Sequence, residues 1–344
     1  MQNSYFCDSK TDVVISVKQL TRDYQVSKKE PGLLASLKSV FKNTTILKHA
    51  LHPINIDIFR GQIVGLVGAN GAGKTTLLKL LSGLIFPTSG SATVLGYIPW
   101  KRSNAFLKQI SLLLGQKNQL WWDISASDSF HLLMTIYDLD KQKTLKKINN
   151  LADRLDCQHV LKVPLRRLSL GERMKMELIG SLLHSPKVLF LDEPTIGLDV
   201  VAQTNIRQFI LEELKGSDVT IILTSHYMDD IALLADRLLL MSHGSLAYDG
   251  NVGHFMSKTP RTKRLIVDFI EPLKNELILS SNVKIQAGAL TFDHSFFSEQ
   301  LLDAIKIITS QTFIKDLKIE EPNFEDVIHN FLEEESSLRK ARNR

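Results

Sequence analysis

Cysteine is scarce in this sequence, and no apolar run is long enough to cross a bilayer. The two cysteines, Cys7 and Cys157, lie far apart and match no metal-binding or redox spacing, which indicates a reducing compartment. The most apolar window, residues 231–241, is broken by two charged residues and falls short of the roughly 18 to 20 residues that a spanning helix needs. Residues 1–12 lack the apolar core of a secretory signal. We therefore expect a soluble chain.

Neither sign of charge dominates the composition. The 42 Lys and Arg residues exceed the 37 Asp and Glu residues by a net charge of only +5. A dedicated nucleic-acid binder carries a dense basic patch, so this balance argues against a nucleic-acid partner. A length of 344 residues exceeds what one small domain needs and suggests two domains.

A glycine-rich segment carries the first chemically specific pattern. The stretch GANGAGKT follows the apolar run 63–67 and precedes the helix-forming residues 76–82. Glycines let the backbone wrap a phosphate chain, a helix N-terminus adds positive potential, a lysine reaches the phosphates and a hydroxyl ligates magnesium. The alternative is a glycine-rich turn that contains a lysine by chance. Such a turn would not need a strand before it and a helix after it, so the flanking pattern favours the phosphate loop. The residues predicted to contact a nucleotide are Gly68, Ala69, Asn70, Gly71, Ala72, Gly73, Lys74, Thr75 and Thr76.

Two acids follow a second apolar run, residues 188–191. Continuous hydrophobicity is typical of a strand buried on both faces, and ligands of open α/β sheets gather at the carboxyl ends of such strands. We predict that Asp192 holds magnesium and that Glu193 orients or deprotonates an attacking water. Acids here also serve as helix caps, but the phosphate-loop pattern favours the catalytic interpretation.

Two further residues are weaker candidates when taken alone. His226 follows the apolar run 220–223 and is predicted to set the same water, although a histidine at a strand end is often structural. Tyr24 is predicted to stack on a base, and the alternative is an ordinary surface tyrosine in a stretch rich in lysine and serine.

The order of these patterns, together with the segment LSLGE at residues 168–172, resembles that of ATP-binding cassette (ABC) ATPases. The resemblance covers about residues 12–250. By this resemblance, Tyr24 corresponds to the aromatic residue that stacks on adenine, residues 68–75 to the Walker A loop and Gln116 to the Q-loop glutamine. Ser169 and Gly171 belong to the signature, Asp192 ends the Walker B strand, and Glu193 corresponds to the catalytic glutamate. Asp199 corresponds to the D-loop aspartate and His226 to the switch histidine.

That resemblance implies an α/β P-loop NTPase cassette with a mixed sheet core and a helical subdomain. It also implies ATP and Mg²⁺ as ligands, ATP hydrolysis, and a Gln116 amide that binds the magnesium or the attacking water. The signature of one cassette in this family closes over the nucleotide held by another. Since the chain has one phosphate loop and one signature, a second cassette is implied, in a homodimer or with a related subunit.

The signature departs from the commoner Leu-Ser-Gly-Gly-Gln at two positions, Leu170 and Glu172. Ser169 and Gly171, whose hydroxyl and N–H groups would face a phosphate, are kept. A carboxylate at Glu172 favours the start of a helix, but it repels a phosphate if it faces one.

Within the family, the chain resembles ATPases of ABC-2-type export systems, including viologen and drug exporters. Two features carry this resemblance: the segment QKNQLWWD at residues 116–123, and a signature that is followed by Arg173 and Met174. This implies an energising subunit bound peripherally at the cytoplasmic face of the inner membrane, working with separate transmembrane polypeptides. An import ATPase shares every catalytic residue. A third class, ABC ATPases acting on ribosomes or DNA, usually carries two cassettes or long insertions.

Trp121 and Trp122 stand side by side among polar residues in that stretch, and one core cannot easily bury both rings. In ABC transporters this loop borders the groove that receives a short helix of the membrane subunit, so we predict that the pair docks this partner. Internal packing of the two rings is the alternative.

Domain boundaries follow from where the motifs stop. Residues 1–255 are predicted to form the nucleotide-binding domain, with a helical subdomain at about 105–180. Its insert, residues 28–45, has an amphipathic basic pattern whose apolar side either packs on the same domain or contacts a membrane surface or partner. Residues 256–344 are predicted to form a small α+β accessory domain for regulation, dimer contact or structural support. Its predicted elements are strands at 264–269 and 313–319 and helices at 297–309 and 324–334.

Overall fold

The computed structural model describes residues 12–27, 45–115, 117–258, 262–280, 283–320, 324–328 and 330–333. The chain divides into two compact units, Met1–Val252 and Gly253–Arg344. The amphipathic helix predicted within the insert and the predicted ligand Gln116 lie outside the described residues.

A mostly parallel sheet forms the centre of the first unit. From one edge to the other it contains β5 (Ile110–Leu114), β6 (Val188–Asp192), β7 (Thr220–Thr224), β3 (Ile63–Gly68), β8 (Arg237–Ser242) and β9 (Ser245–Asn251). The first five strands are parallel and β9 is antiparallel to β8. All of β7 is buried, as expected for a strand covered on both faces. The carboxyl ends of β3, β6 and β7 therefore meet at one edge of the sheet.

An antiparallel sheet accompanies it, in the order β2 (Thr45–Phe59), β1 (Val13–Ser27) and β4 (Ser89–Val94). Alternate residues Ile54, Ile56 and Ile58 of β2 are buried, which is the two-residue period of a strand with one covered face. These residues belong to the same hydrophobic cluster as Val64 and Leu66 of β3. The two sheets thus share one core.

Helices connect these strands. They are α1 (Lys74–Leu81), α2 (Asn104–Leu107), α3 (Ala126–Tyr137), α4 (Lys141–Arg154), α5 (Leu170–Leu182), α6 (Val200–Phe209), extended by the π-helical turn Ile210–Leu214, and α7 (Met228–Leu234). The most apolar window of the sequence, residues 231–241, is shared between α7 and β8. Within the described parts of the chain, we find no helix with the length and hydropathy of a membrane span.

The second unit has its own small core. A three-stranded antiparallel sheet, in the order β13 (Thr291–Phe297), β10 (Thr262–Phe269) and β14 (Ile314–Glu320), shares this core with a hairpin and a helix. The hairpin is formed by β11 (Leu277–Ser280) and β12 (Val283–Ile285), and the helix is α9 (Ser298–Gln311). Helix α8 (Val252–Lys258) begins at the last residue of the first unit and continues into the second. Strands β11, β12 and β13 were not predicted, because short runs such as VKI lack a clear alternation. Residues 324–328 and 330–333 are helical.

Candidate nucleotide site

The phosphate loop, residues 68–73, connects β3 to α1 at the carboxyl edge of the parallel sheet. Gly73 has a φ of +107°, and a Cβ on it would lie 2.8 Å from the carbonyl oxygen of Ala50, so a residue without a side chain is required. Lys74, the first residue of α1, is 7% exposed, and its Nζ donates hydrogen bonds to the carbonyl oxygens of Gly68 at 2.6 Å and Ala69 at 3.3 Å.

The electrostatic setting of Lys74 combines burial with two nearby acids. Burial lowers the pKa of Lys74, while the charges of Glu193 and Asp192 oppose that shift. The ammonium group is therefore poorly solvated and placed among carboxylates at the end of the sheet. An anionic ligand that binds there gains a charge-assisted hydrogen bond from a group that has already lost most of its water.

Asp192 lies between two hydroxyl groups. Thr224 Oγ1 donates to its Oδ1 at 2.7 Å, and Thr75 Oγ1 donates to its Oδ2 at 3.4 Å. A hydroxyl and a carboxylate are the hard oxygen donors that Mg²⁺ prefers, and this ion commonly completes its shell with phosphates and water. The donor set fits magnesium even though no group of three or more His, Cys, Asp or Glu side chains suited to a metal occurs among the described residues.

Glu193 and His226 form a direct pair, with His226 Nε2 2.8 Å from Glu193 Oε1. The backbone of Glu193 has a φ of +58°, an unusual value for a residue with a side chain, and its N–H donates to Thr224 Oγ1 at 3.0 Å. Strain of this kind persists only where neighbouring structure enforces it. Gly115 allows the close approach, because a Cβ on it would lie 2.2 Å from the carbonyl oxygen of Glu193.

A buried acid behind this pair supports the two loops that carry it. Asp230 is fully buried and accepts hydrogen bonds from Thr195 Oγ1 at 2.5 Å and Ser225 Oγ at 2.6 Å. It also forms an ion pair with Arg207 of α6. Sequence reasoning missed Asp230, because an acid in the first turn of a helix is ordinary and its partners come from three separate segments.

Tyr24 belongs to the same cavity as the phosphate loop. This cavity has a volume of about 510 Å³ and is lined by Tyr24, Gln25, Lys48, Ala50, Asn70, Gly71, Gly73, Lys74, Thr75, Thr76 and Glu193. The guanidinium carbon of Arg22 lies 4.5 Å from the centre of the Tyr24 ring. The structure thus places the predicted base-stacking residue, the phosphate-loop lysine and the predicted catalytic glutamate around one cavity large enough for a nucleotide.

The signature segment, residues 168–172, lies apart from that cavity. Ser169 is the N-cap of α5, and Gly171 packs so closely on α6 that a Cβ on it would lie 2.9 Å from the Cβ of Ala202. Asp199 caps α6, since its Oδ1 accepts the N–H of Ala202 at 2.9 Å. None of these residues is among those that line the cavity, so a single chain does not bring the signature to its own phosphate loop.

The loop around the tryptophan pair is fixed to α5. The buried carboxylate of Glu177 accepts the backbone N–H groups of Gln119 at 3.0 Å and Leu120 at 3.2 Å. Trp121 and Trp122 are 41% and 43% exposed, so neither ring is buried in the core of this unit. Sequence reasoning did not single out Glu177, because an acid within an amphipathic helix is usually solvated.

Comparisons with known proteins bear on the first unit. The sequence profile of the ABC transporter family matches residues 51–196. The chain is 32% identical over 222 residues to the lantibiotic transport ATP-binding protein SrtF of Streptococcus pyogenes, covering 63% of this chain and 91% of that protein. The chain belongs to the ABC transporter family. It is also 29% identical over 210 residues to the ABC transporter ATP-binding protein NatA of Bacillus subtilis (strain 168), covering 61% of this chain and 85% of that protein.

Some relatives of this ABC chain are much larger. It matches ABC transporter A family member 5 of Dictyostelium discoideum with 32% identity over 228 residues, which is 66% of this chain but only 14% of that protein. Among solved structures, cbiO1 from Clostridium perfringens, part of the ABC transporter complex cbiONQ, superposes with a TM-score of 0.57 at 26% identity. The match covers 72% of this chain and 92% of cbiO1. The predicted fold class, an α/β P-loop cassette with a mixed sheet core, is confirmed.

Proposed function

We propose that this chain binds and hydrolyses ATP and energises a membrane ABC exporter through ATP-driven closure of two cassettes. One observation carries the proposal: Tyr24, Lys74, Thr75 and Glu193 line a single cavity, and the carboxylate of Asp192 contacts Thr75 at its edge. Binding of a base, neutralisation of phosphates and activation of water are the three tasks of ATP hydrolysis, and this cavity has a residue for each.

The hydrolytic step follows from the pair at the end of β6. The Glu193 carboxylate accepts a proton from water while the water oxygen forms a bond to the γ-phosphorus. The bond from that phosphorus to the β,γ-bridging oxygen breaks, and ADP leaves with the electron pair. His226, 2.8 Å from Glu193, orients the carboxylate, and Lys74 neutralises the phosphate charge. Magnesium, held by Thr75 and Asp192, would supply further charge neutralisation.

Closure of two cassettes would complete the site. The separation of Ser169 and Gly171 from the cavity supports a second copy, or a related subunit, as the source of the signature and of Asp199. Leu170, Val200 and Val201 are 37%, 75% and 69% exposed around the starts of α5 and α6. Apolar side chains left in solvent beside the signature are suited to burial against another cassette.

Separate transmembrane subunits of the ABC-2 type are the membrane partner that we propose, with the chain peripheral at the cytoplasmic face. Trp121 and Trp122 support this assignment, because half-exposed aromatic rings on a hydrogen-bonded loop have the character of interface anchors. The names of the two bacterial relatives, a lantibiotic transport protein and a transporter ATP-binding protein, agree with a role in transport.

A membrane pull-down tests this function. The chain is immobilised with ATP and exposed to detergent-solubilised membranes, and Lys74→Ala serves as the matched bait because it loses nucleotide contact. We expect capture of polypeptides with several spans of about 20 apolar residues, and ATPase activity of the complex that responds to exported cargo. Capture of ribosomes or DNA would support the third class instead, and a complex whose ATPase responds only to a substrate-binding protein would indicate import.

A further inference from the structure

At the start of α5, Ser169 donates both of its polar hydrogens to the carboxylate of one residue, Glu172. Ser169 donates its backbone N–H and its hydroxyl to Glu172 Oε2, each at 2.8 Å, and Glu172 returns its own N–H to Ser169 Oγ at 3.2 Å. These two hydrogen bonds from Ser169 lower the pKa of Glu172. The Glu172 carboxylate therefore already occupies both polar hydrogens of Ser169.

A serine hydroxyl has one hydrogen to donate. The proposed closure of two cassettes requires that hydrogen for the γ-phosphate bound to the other copy. Glu172 and the phosphate are both anions, so they compete for the same donor, and they repel each other when both are close. Closure cannot give Ser169 its phosphate contact while Glu172 keeps the hydroxyl.

We propose that Glu172 is a positioning residue that acts through Ser169, as an internal competitor for the γ-phosphate. By holding the Ser169 hydroxyl until it turns away, it raises the ATP concentration at which two cassettes close. This inference rests on the proposed function, since it concerns the closure step itself.

The surroundings of Glu172 allow that movement. Its side chain is 32% exposed, and its second oxygen lies 3.7 Å from Nε2 of His159, whose side chain is 65% exposed. The carboxylate is thus only partly covered by the protein. A helix cap with no further role predicts the opposite dependence, because loss of the carboxylate would then weaken α5 and hinder closure.

The test compares Glu172→Gln with the unaltered residue, both in a Glu193→Gln background that slows hydrolysis. The amide oxygen of glutamine still accepts the Ser169 N–H, but it is not an anion and releases the hydroxyl. Light scattering at increasing Mg-ATP gives the ATP concentration for half-maximal dimer. We expect Glu172→Gln to lower it about five-fold, from the difference between a charged and a neutral acceptor.

Ser169→Ala separates competition from a general charge effect. In a Ser169→Ala background the same change should alter the half-maximal concentration by less than about two-fold, because no hydroxyl remains to be released. An unchanged or raised concentration for Glu172→Gln would overturn the inference, and so would an equal decrease in both backgrounds. If no variant dimerises although each binds a fluorescent ATP analogue, the proposed closure fails, and the inference fails with it.

Discussion

The carboxylate of Glu177, in the middle of α5, accepts the backbone N–H of Gln119 with 3.0 Å between Oε1 and nitrogen. Helix α5 begins at the signature, and Gln119 lies three residues after the predicted Q-loop glutamine and two before the tryptophan pair. A buried acid thus joins the helix proposed to close on a second cassette to the loop proposed to dock a membrane partner.

Removing the carboxylate of Glu177 should break the hydrogen-bonded connection between α5 and the tryptophan loop and lower the free energy of unfolding. Glu177→Ala leaves the buried N–H groups of Gln119 and Leu120 without their acceptor, at a cost of about 1–3 kcal/mol in the free energy of unfolding. Glu177→Gln keeps one acceptor oxygen and should cost less. Urea unfolding of the three proteins at neutral pH measures both values, and equal stability of Glu177→Ala and the unaltered chain would contradict the contact.

The same acid predicts a pH dependence with a definite sign. Burial raises the pKa of Glu177 above its usual 4.5, against the smaller opposing effect of the N–H groups of Leu120 and Gln119. The folded state therefore binds the proton more tightly, so this residue's contribution to stability is full below pH 4.5 and declines as pH rises through the raised folded pKa. Glu177→Gln should lack that decline in a series of urea titrations, and an identical pH profile would refute the assignment.

Glu193→Gln should slow ATP hydrolysis by about 10²–10⁴-fold, the usual contribution of a general base. Glutamine is nearly isosteric and retains an oxygen near His226, so binding of a fluorescent ATP analogue should change by less than about two-fold. Single-turnover hydrolysis with Mg-ATP measures the first quantity. Loss of binding in parallel with turnover would point to a structural role for Glu193.

A substitution at Gly73 should damage the phosphate loop more than a similar one elsewhere. Alanine at Gly73 or at Gly96 must adopt a positive φ, at about 1–2 kcal/mol. Only at Gly73 does the new Cβ also meet a backbone carbonyl, at 2.8 Å, whereas nothing lies within 4 Å at Gly96. We expect Gly73→Ala to weaken ATP binding about ten-fold or more and Gly96→Ala to leave it unchanged in nucleotide titrations. Equal effects would show that the close approach is unimportant.

The tryptophan pair should matter only when a membrane partner is present. Trp122→Ala removes a ring that is 43% exposed, so ATP binding by the isolated chain should stay within about two-fold. Its affinity for the membrane subunits should fall by about 2 kcal/mol, or roughly 30-fold, if the ring is an interface anchor. Phe313→Ala, at a ring that is 84% exposed in the second unit, is the matched control and should have no effect. Unchanged partner affinity for Trp122→Ala would refute the docking role.

Local chemistry in the sequence predicted much of the candidate site. Residue type and spacing were enough to select the glycines before Lys74 and the acids after the run 188–191 as site residues. The only further rule needed was that ligands gather at the carboxyl ends of parallel strands. The continuous apolar runs that became β6 and β7 were equally visible.

Long-range contacts account for what sequence reasoning missed. Segments far apart in the chain determine three of these features. They are the positive φ of Glu193, the burial of Asp230 and the hydrogen bond from the Gln119 N–H to the Glu177 carboxylate. The direction of Glu172 also depends on geometry, since its sequence position fits a carboxylate aimed at solvent as well as one aimed at Ser169.

The mechanism that we propose is the closure of two cassettes by ATP around the site built from Lys74, Asp192 and Glu193. Its most direct test is the mass of Glu193→Gln in solution, by light scattering, with and without Mg-ATP. We expect one chain of 38.8 kDa without nucleotide and twice that mass, with two ATP bound, when Mg-ATP is present. A single chain at saturating Mg-ATP would contradict it.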